Sequence, residues 1–258
     1  MKILITGANG YLAKHLIDKF KEHVVIPLTR DNNTSEFILN SNPDVVIHTI
    51  CSYGRNNESI TDIYNSNLFA GIKVLNNIQQ LNKKVTFINC GTALEKYTNL
   101  YSISKGQFVE FGKFVSNNNL QFINMNLEHF YGRNAPNNFL SFIINQCNVN
   151  KDIPLTSGTQ KRDFVYIDDV CNAFNSVITY RNKLQNFDTI DVGTGIATPV
   201  KDVVLKIKEL TRSKSKLLFG EVPLRDNEVG EMKANISKLQ SLDWAPQYSI
   251  VSGLKEML

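Results

Sequence analysis

No two of the four cysteines, Cys51, Cys90, Cys147 and Cys171, stand as a CxxC pair or at a metal-ligand spacing. That excludes a disulfide scaffold and a zinc module, leaves the metal roster empty, and suggests free thiols in a reducing compartment. No stretch approaches the roughly 18 apolar residues that a membrane-spanning helix needs. The opening MKILITG has too short an apolar run for a signal peptide, and a glycine turn and a helix follow at once. It is expected to be a strand, and the protein to be cytoplasmic. Charge of one sign is scarce as well: the formal net charge is +4, with lysines scattered through KEH, NKK and SKSK. A scattered positive balance argues against nucleic acid and suits an anionic small ligand equally well. No internal repeat or low-complexity segment is visible.

What is present is ordinary globular texture: 258 residues, 42% hydrophobic and 20% charged, with 14 Gly and 7 Pro. That is enough for one large domain with a small lobe. Strands are expected at KILIT (2–6), VVIPLT (24–29), DVVIHTI (44–50), VTFINC (85–90) and QFINMNL (121–127). Helical patterns lie between them near 10–22, 60–82 and 101–117. Near-continuous apolar strands alternating with helices predict an α/β fold, a Rossmann-like doubly wound parallel sheet. The connection from Arg30 to Pro43 is short for a full crossover, so that edge is expected to be trimmed. After about residue 132 the texture changes: GRNAPNN reads as a loop, FLSFIINQCN as a short helix, and KRDFVY leads into a further helix. FDTIDVG reads as a strand, and TPVKDVVLKIKELT as a helix with Thr198 as N-cap. The tail reads as a helix, a Trp-Pro turn and a last helix. The expected division is 1–160 as dinucleotide-binding domain, with 161–195 partly returning to it, and 133–160 plus 196–258 as a small C-terminal α/β substrate-binding lobe.

ITGANGYLAKHL places Gly7, Gly10 and Ala13 at G-x-x-G-x-x-A spacing between the first strand and first helix. The first glycine permits the turn, the second lets backbone approach a pyrophosphate, and the small third residue lets helix and strand pack closely. The helix N-terminus then faces the phosphates. At the end of the second strand, an acid would bond a ribose 2′-hydroxyl and an arginine would pair with a 2′-phosphate. PLTRDN puts Arg30 there, which favours NADP(H); Asp31, one residue later, keeps NAD(H) open. Further on, NLYSISKGQF sets Tyr101 and Lys105 four apart, on one helical face. They are either an exposed surface pair or a proton donor with a cation that tunes it.

The pieces TGANGYLA, DVVIHTICSYG, NSNLFAGIKVL, YSISK, LEHFYG, KRDFVYIDDV and VPLRDNE, in that order along nearly the whole chain, resemble the extended short-chain dehydrogenase/reductases acting on nucleotide sugars. CSYGRNNESI and FINCGTAL are most similar to the branch of CDP-abequose and CDP-paratose synthases, which are 4-ketoreductases. The resemblance implies that Tyr101 exchanges a proton with a sugar oxygen. Lys105 then lowers the phenol's pKa and binds the nicotinamide ribose. Asn9, Tyr11, Leu12 and Thr49 join Gly7, Gly10 and Arg30 at the cofactor. Where the family has Ser or Thr, this chain has Cys90, a much weaker donor. Thr92, two residues on, would point to the same side of a continuing strand, so Thr92 is assigned as the hydroxyl partner and Cys90 as a neighbouring lining residue. Gly91-Thr92 replaces the Asp-Glu pair of 4,6-dehydratases, so dehydration is not expected. Arg162 and Arg225 would grip the nucleotide diphosphate, from a cleft between the domain and the lobe. His129 stands in the family's Asn position and is either a substrate contact or a packed residue. Tyr166 with Asp168 and Asp169 reads as scaffold, the acids as helix caps, and Trp244 as core of the small lobe.

The implied activity is NADP(H)-dependent reduction of C4 of a nucleotide-activated 4-keto-6-deoxy sugar in surface-polysaccharide (lipopolysaccharide) biosynthesis. An NAD-dependent 4-epimerase is the alternative, and a catalytically silent NADP-binding regulator a third reading. The resemblance also implies a homodimer through the helices near 60–80 and 101–117, where Leu68, Ile72 and Leu75 either face the partner or fill the core.

Overall fold

The apolar runs in the first half of the chain become parallel strands of one sheet. The computed structural model describes residues 1–32, 34–136, 138–225 and 228–258; Asn33, Asn137 of the 132–138 loop, and Asp226 and Asn227 of the VPLRDNE segment lie outside them. The chain runs β1 (Lys2–Thr6), α1 (Tyr11–Lys19), β2 (Val24–Leu28), α2 (Ser35–Ser41), β3 (Val45–His48) and α3 (Ile60–Tyr64). After a π-helical turn at Asn65–Phe69 come α4 (Ala70–Ile78), β4 (Val85–Thr92), α5 (Leu100–Val115), β5 (Leu120–Leu127), β6 (His129–Tyr131) and α6 (Phe139–Asn148). Then follow β7 (Ile153–Leu155), β8 (Lys161–Tyr166), α7 (Ile167–Thr179), β9 (Phe187–Val192), β10 (Ala197–Pro199), α8 (Val200–Thr211), β11 (Leu217–Phe219), α9 (Ser237–Gln240) and α10 (Ile250–Lys255).

The chain divides into two units, Met1–Leu127 with Phe174–Ile190, and Glu128–Ala173 with Asp191–Leu258. The six-stranded sheet has the order β2-β1-β3-β4-β5-β9, with β1 parallel to β2 and β3, β3 to β4, and β4 to β5. The order reverses between β1 and β3, which makes a crevice at their carboxyl ends. The trimmed edge is β2, reached back through the two-turn α2. That helix starts where the Thr34 hydroxyl accepts from Phe37 N.

α5 is held on the sheet by Phe108, fully buried against Phe87 and Phe122 with ring centroids 5.9 and 5.7 Å away. Truncating such a residue to Ala costs about 3–5 kcal/mol. Leu75 of α4 belongs to the same core, while Leu68 and Ile72 are partly buried against it.

In the second unit, β8 lies between antiparallel β10 and parallel β6, and β7 pairs with β11. The buried Asp163 carboxylate accepts from Thr194 N and Gly195 N, each at 2.8 Å. Trp244 is core here, its Nε1 donating to Asp169 O at 3.1 Å. Two expectations need correction. Asp169 opens α7 but its carboxylate accepts from Gln247 N and Tyr248 N, so it caps the tail's turn instead of its own helix. Thr198 pairs within β10, and Pro199 is the N-cap of α8. Among the described residues no helix is long and apolar enough to cross a membrane, and no group of three or more His, Cys, Asp or Glu could hold a metal ion.

Candidate active site

The turn after β1 passes through Gly7 at φ +66°, where an added Cβ would lie 3.0 Å from Thr49 Oγ1 and 3.2 Å from Ile50 N. Only glycine sits there without strain. Gly10 N donates to Gly7 O at 2.8 Å, and Gly10 is the N-cap of α1 with no side-chain cap. The first N–H groups of α1 therefore point out over a flat glycine surface, a fit for the pyrophosphate of a dinucleotide. Asn9 and Gly10 are exposed, Tyr11 is half-buried with its ring 4.8 Å from that of His15, and Leu12 is buried and offers its backbone. Thr49 ties β3 to β1: its hydroxyl donates to Thr6 O at 2.6 Å and its N–H to Thr6 Oγ1 at 3.2 Å. Arg30 and Asp31 are both exposed, just beyond β2, in a turn pinned by Asn32, whose Oδ1 accepts from Thr29 N at 2.7 Å.

α5 begins at a reciprocal cap: Asn99 Oδ1 accepts from Ser102 N at 2.9 Å and Ser102 Oγ from Asn99 N at 3.1 Å. That fixes the helix start two residues before Tyr101 and puts Lys105 one turn below it. The side chains are buried, Tyr101 at 8% exposure and Lys105 at 1%, so they are no solvated surface pair. β4 continues to Thr92, which keeps Cys90 and Thr92 on one face of the strand. The Thr92 hydroxyl acts on the Tyr101 phenol and favours its ionised form.

Burial pushes the Tyr101 pKa above that of a free phenol, and Cys51 adds to the rise; the Thr92 hydroxyl pulls it down, Cys90 raises it, and Arg55 lowers it. Lys105 is lowered, by burial first, with Cys51 and Cys90 opposing. In the protein alone desolvation is the largest influence on the phenol, and Thr92 and Arg55 act to lower it. His48, fully buried beside Phe87 and Phe108, is pushed down to about 3 by burial and by Lys105, and stays neutral.

Residues that sequence reasoning passed over complete this environment. Tyr53 lies with its ring centroid 4.9 Å from that of Tyr101, and the Arg55 Cζ is 4.9 Å from the Tyr53 centroid. Cys51 acts on Tyr53 and helps hold its proton. Asn67, fully buried in the π-helical turn, donates to Ser52 O and Ser104 Oγ, each at 2.9 Å. The available signal was position alone, a Tyr and an Arg in the loop directly after β3, beside the crevice.

In the second unit, Arg162 is buried, donating to Lys161 O at 2.7 Å and Val229 O at 2.8 Å and paired with Glu228. Glu228 N donates to Arg225 O at 3.1 Å, so the exposed Arg225 belongs to the turn that supplies Arg162's carboxylate partner. His129 is largely exposed, its Nδ1 3.5 Å from the buried Glu128 carboxylate and its ring 5.9 Å from Phe164.

Residues 3–193 match the NAD dependent epimerase/dehydratase family. The chain belongs to that family. As a member of this NAD(P)-dependent family it is an enzyme of the extended short-chain dehydrogenase/reductase type. It is 33% identical to the CDP-abequose synthase of Salmonella muenchen, over 100% of this chain and 97% of that protein. A second CDP-abequose synthase, from Salmonella typhimurium, is 28% identical over 99% and 97%. Among solved structures, the UDP-glucose 4-epimerase of Thermotoga maritima with UDP-glucose matches with a TM-score of 0.86 at 19% identity, covering 100% of this chain and 97% of that one. The Thermus thermophilus UDP-glucose 4-epimerase in complex with NAD gives 0.83 at 16% identity, over 100% and 97%. The family and its sheet are thus shared with proteins of nucleotide-sugar metabolism.

Proposed function

We propose that the protein reduces C4 of a nucleotide-activated 4-keto-6-deoxy sugar with NADPH. The observation that carries the reading is the buried Tyr101 phenol, with Lys105 buried one turn away, in a unit whose β1–α1 turn suits a pyrophosphate. Bound NADPH supplies the hydride to the sugar carbon. Tyr101 passes its hydroxyl proton to the C4 oxygen as negative charge develops there, and a phenol held above its ordinary pKa arrives protonated at neutral pH. Thr92 orients that hydroxyl and offers a second donor to the same oxygen. Lys105 holds the nicotinamide ribose, and Gly7, Asn9, Gly10, Tyr11, Leu12 and Thr49 hold the rest of the dinucleotide. Arg30, exposed beyond β2, pairs with the 2′-phosphate. Arg162 and Arg225 take the substrate diphosphate, with Glu228 giving up or sharing Arg162, and His129 and Cys90 line the sugar nucleotide.

Full-length similarity to CDP-abequose synthases supports a place in 6-deoxy-sugar, and hence surface-polysaccharide, biosynthesis. A cytoplasmic location goes with it. A homodimer through the region of α4 and α5 is part of the proposal, supported by Phe69 and Phe114, 55% and 88% exposed. The second reading is a 4-epimerase with tightly held NAD⁺, which the exposed Asp31 beside Arg30 favours. A panel of 4-keto sugar nucleotides incubated with NADPH tests the proposal: net NADPH consumption is expected, whereas copurified NAD⁺ with no net consumption would turn the assignment to epimerase.

A further inference from the structure

The segment from Cys51 to Ser59 is a built arm, not a slack loop. Ser52 N donates to Asn67 Oδ1 at 2.7 Å, and Asn67 in turn bonds Ser104, whose hydroxyl donates to Tyr101 O at 2.9 Å. The far end is gathered by Glu58, which accepts from Ser52 Oγ at 3.0 Å and Asn56 N at 2.6 Å. Between them Gly54 turns at φ +67°, where a Cβ would meet Ile63 Cδ1 at 2.9 Å. The arm thereby presents Tyr53 to Tyr101 and Arg55 to Tyr53, at 4.9 Å for each step.

We infer that Arg55 is a positioning residue for the proton donor, a permanent cation held one aromatic ring away from Tyr101 that stabilises its phenolate form. This rests on the reading of Tyr101 as the proton donor. A guanidinium suits the task because it stays charged and stacks flat on an aromatic ring, where an ammonium does not. Tyr53, though 45% exposed as a whole, is itself driven to hold its proton, by partial desolvation first and then by Cys51 and Tyr101, so it separates the two groups without adding charge. The direction of Arg55's influence on Tyr101 agrees with the geometry. Two other titratable groups act on the phenol, Cys51 on the arm and Cys90 on β4, which both raise it, and both also act on Lys105. Arg55 acts in the opposite direction to these two.

The consequence is a tuned proton donor. Once protonation of the C4 oxygen has left Tyr101 as phenolate, Arg55 lowers the cost of that state until solvent restores the proton. Without Arg55 the phenol is a weaker acid and the phenolate is harder to form.

The test is NMR of enzyme carrying ring-labelled tyrosine with NADP⁺ bound, the Tyr101 signal assigned from a Tyr101→Phe variant. It needs no substrate. In Arg55→Gln the ionisation midpoint of Tyr101 rises by about half a unit to one pH unit relative to wild type, the size expected for a charge held near the surface at this separation. Arg55→Lys, which keeps the charge on a more strongly hydrated head, gives a smaller rise. The alkaline limb of kcat for NADPH-driven reduction moves in the same direction, which loss of a merely structural contact would not produce. A midpoint in Arg55→Gln equal to or below that of wild type overturns the inference. If wild-type enzyme turns over no 4-keto sugar nucleotide, the reductase reading fails, while the midpoint comparison still decides the role of Arg55.

Discussion

The Thr92 hydroxyl, at the last residue of β4, acts on the Tyr101 phenol at the second residue of α5 and favours its ionised form. We propose it as the hydroxyl partner, although a thiol, Cys90, stands where the resemblance called for Ser or Thr. Thr92→Val removes this hydroxyl and is expected to lower kcat by about tenfold to a hundredfold, the value of a donor to a group that becomes charged. Cys90→Ser is expected to leave kcat near wild type. Steady-state kinetics of the two variants check the assignment, and the reverse ranking would make Cys90 the partner.

Tyr101→Phe keeps the ring packing against Tyr53 and removes the transferable proton. We expect kcat to fall by about 100- to 10,000-fold with NADPH affinity unchanged, measured by fluorescence titration of the dinucleotide. Turnover surviving in this variant would leave the protein without its proposed proton donor.

Gly7→Ala puts a Cβ 3.0 Å from Thr49 Oγ1 in a left-handed backbone conformation. The strain costs about 1–3 kcal/mol, and the displaced turn is expected to lose dinucleotide binding before it loses fold. Calorimetric binding of NADPH and a urea melt separate the two effects.

His48 gives a pH signature. Its folded pKa of about 3 lies below the ordinary 6.5 because the ring is buried, with Lys105 adding to the drop. The unfolded chain therefore takes up a proton that the folded chain refuses, so the contribution is full above 6.5 and is lost as pH falls toward the folded value. Between neutrality and pH ~5 this amounts to about 2 kcal/mol. Urea melts at the two pH values are expected to show a smaller loss in His48→Gln than in wild type; equal losses would mean the ring is not neutral inside.

Much of this molecule was legible in its sequence. The strand KILIT has the bounds of β1, the glycine spacing lies at the β1–α1 turn, and the Tyr101–Lys105 pair lies on one buried helical face. Those features are local, set by periodicity, turn chemistry and capping. What was not legible depends on contacts across the chain. The pattern over 60–82 reads as one helix, but the extra residue of the π-helical turn that buries Asn67 leaves the apolar period almost unchanged. Asp169 looks like a helix cap until the 247–248 backbone comes to it. Tyr53 and Arg55 are exposed loop residues, and that Tyr53 lies against Tyr101 and Arg55 over Tyr53 shows only in the folded chain. The acidity of Tyr101 depends on how deeply it is buried, which spacing alone does not encode.

The central claim is tested most directly by following reduced nicotinamide and the 4-keto sugar nucleotide together in a single reaction. The account predicts that wild-type enzyme consumes NADPH in equal amount to the ketone, giving a C4 alcohol, and that Tyr101→Phe does not. Interconversion of C4 epimers with no net change in nicotinamide, or equal rates in the two proteins, would contradict it.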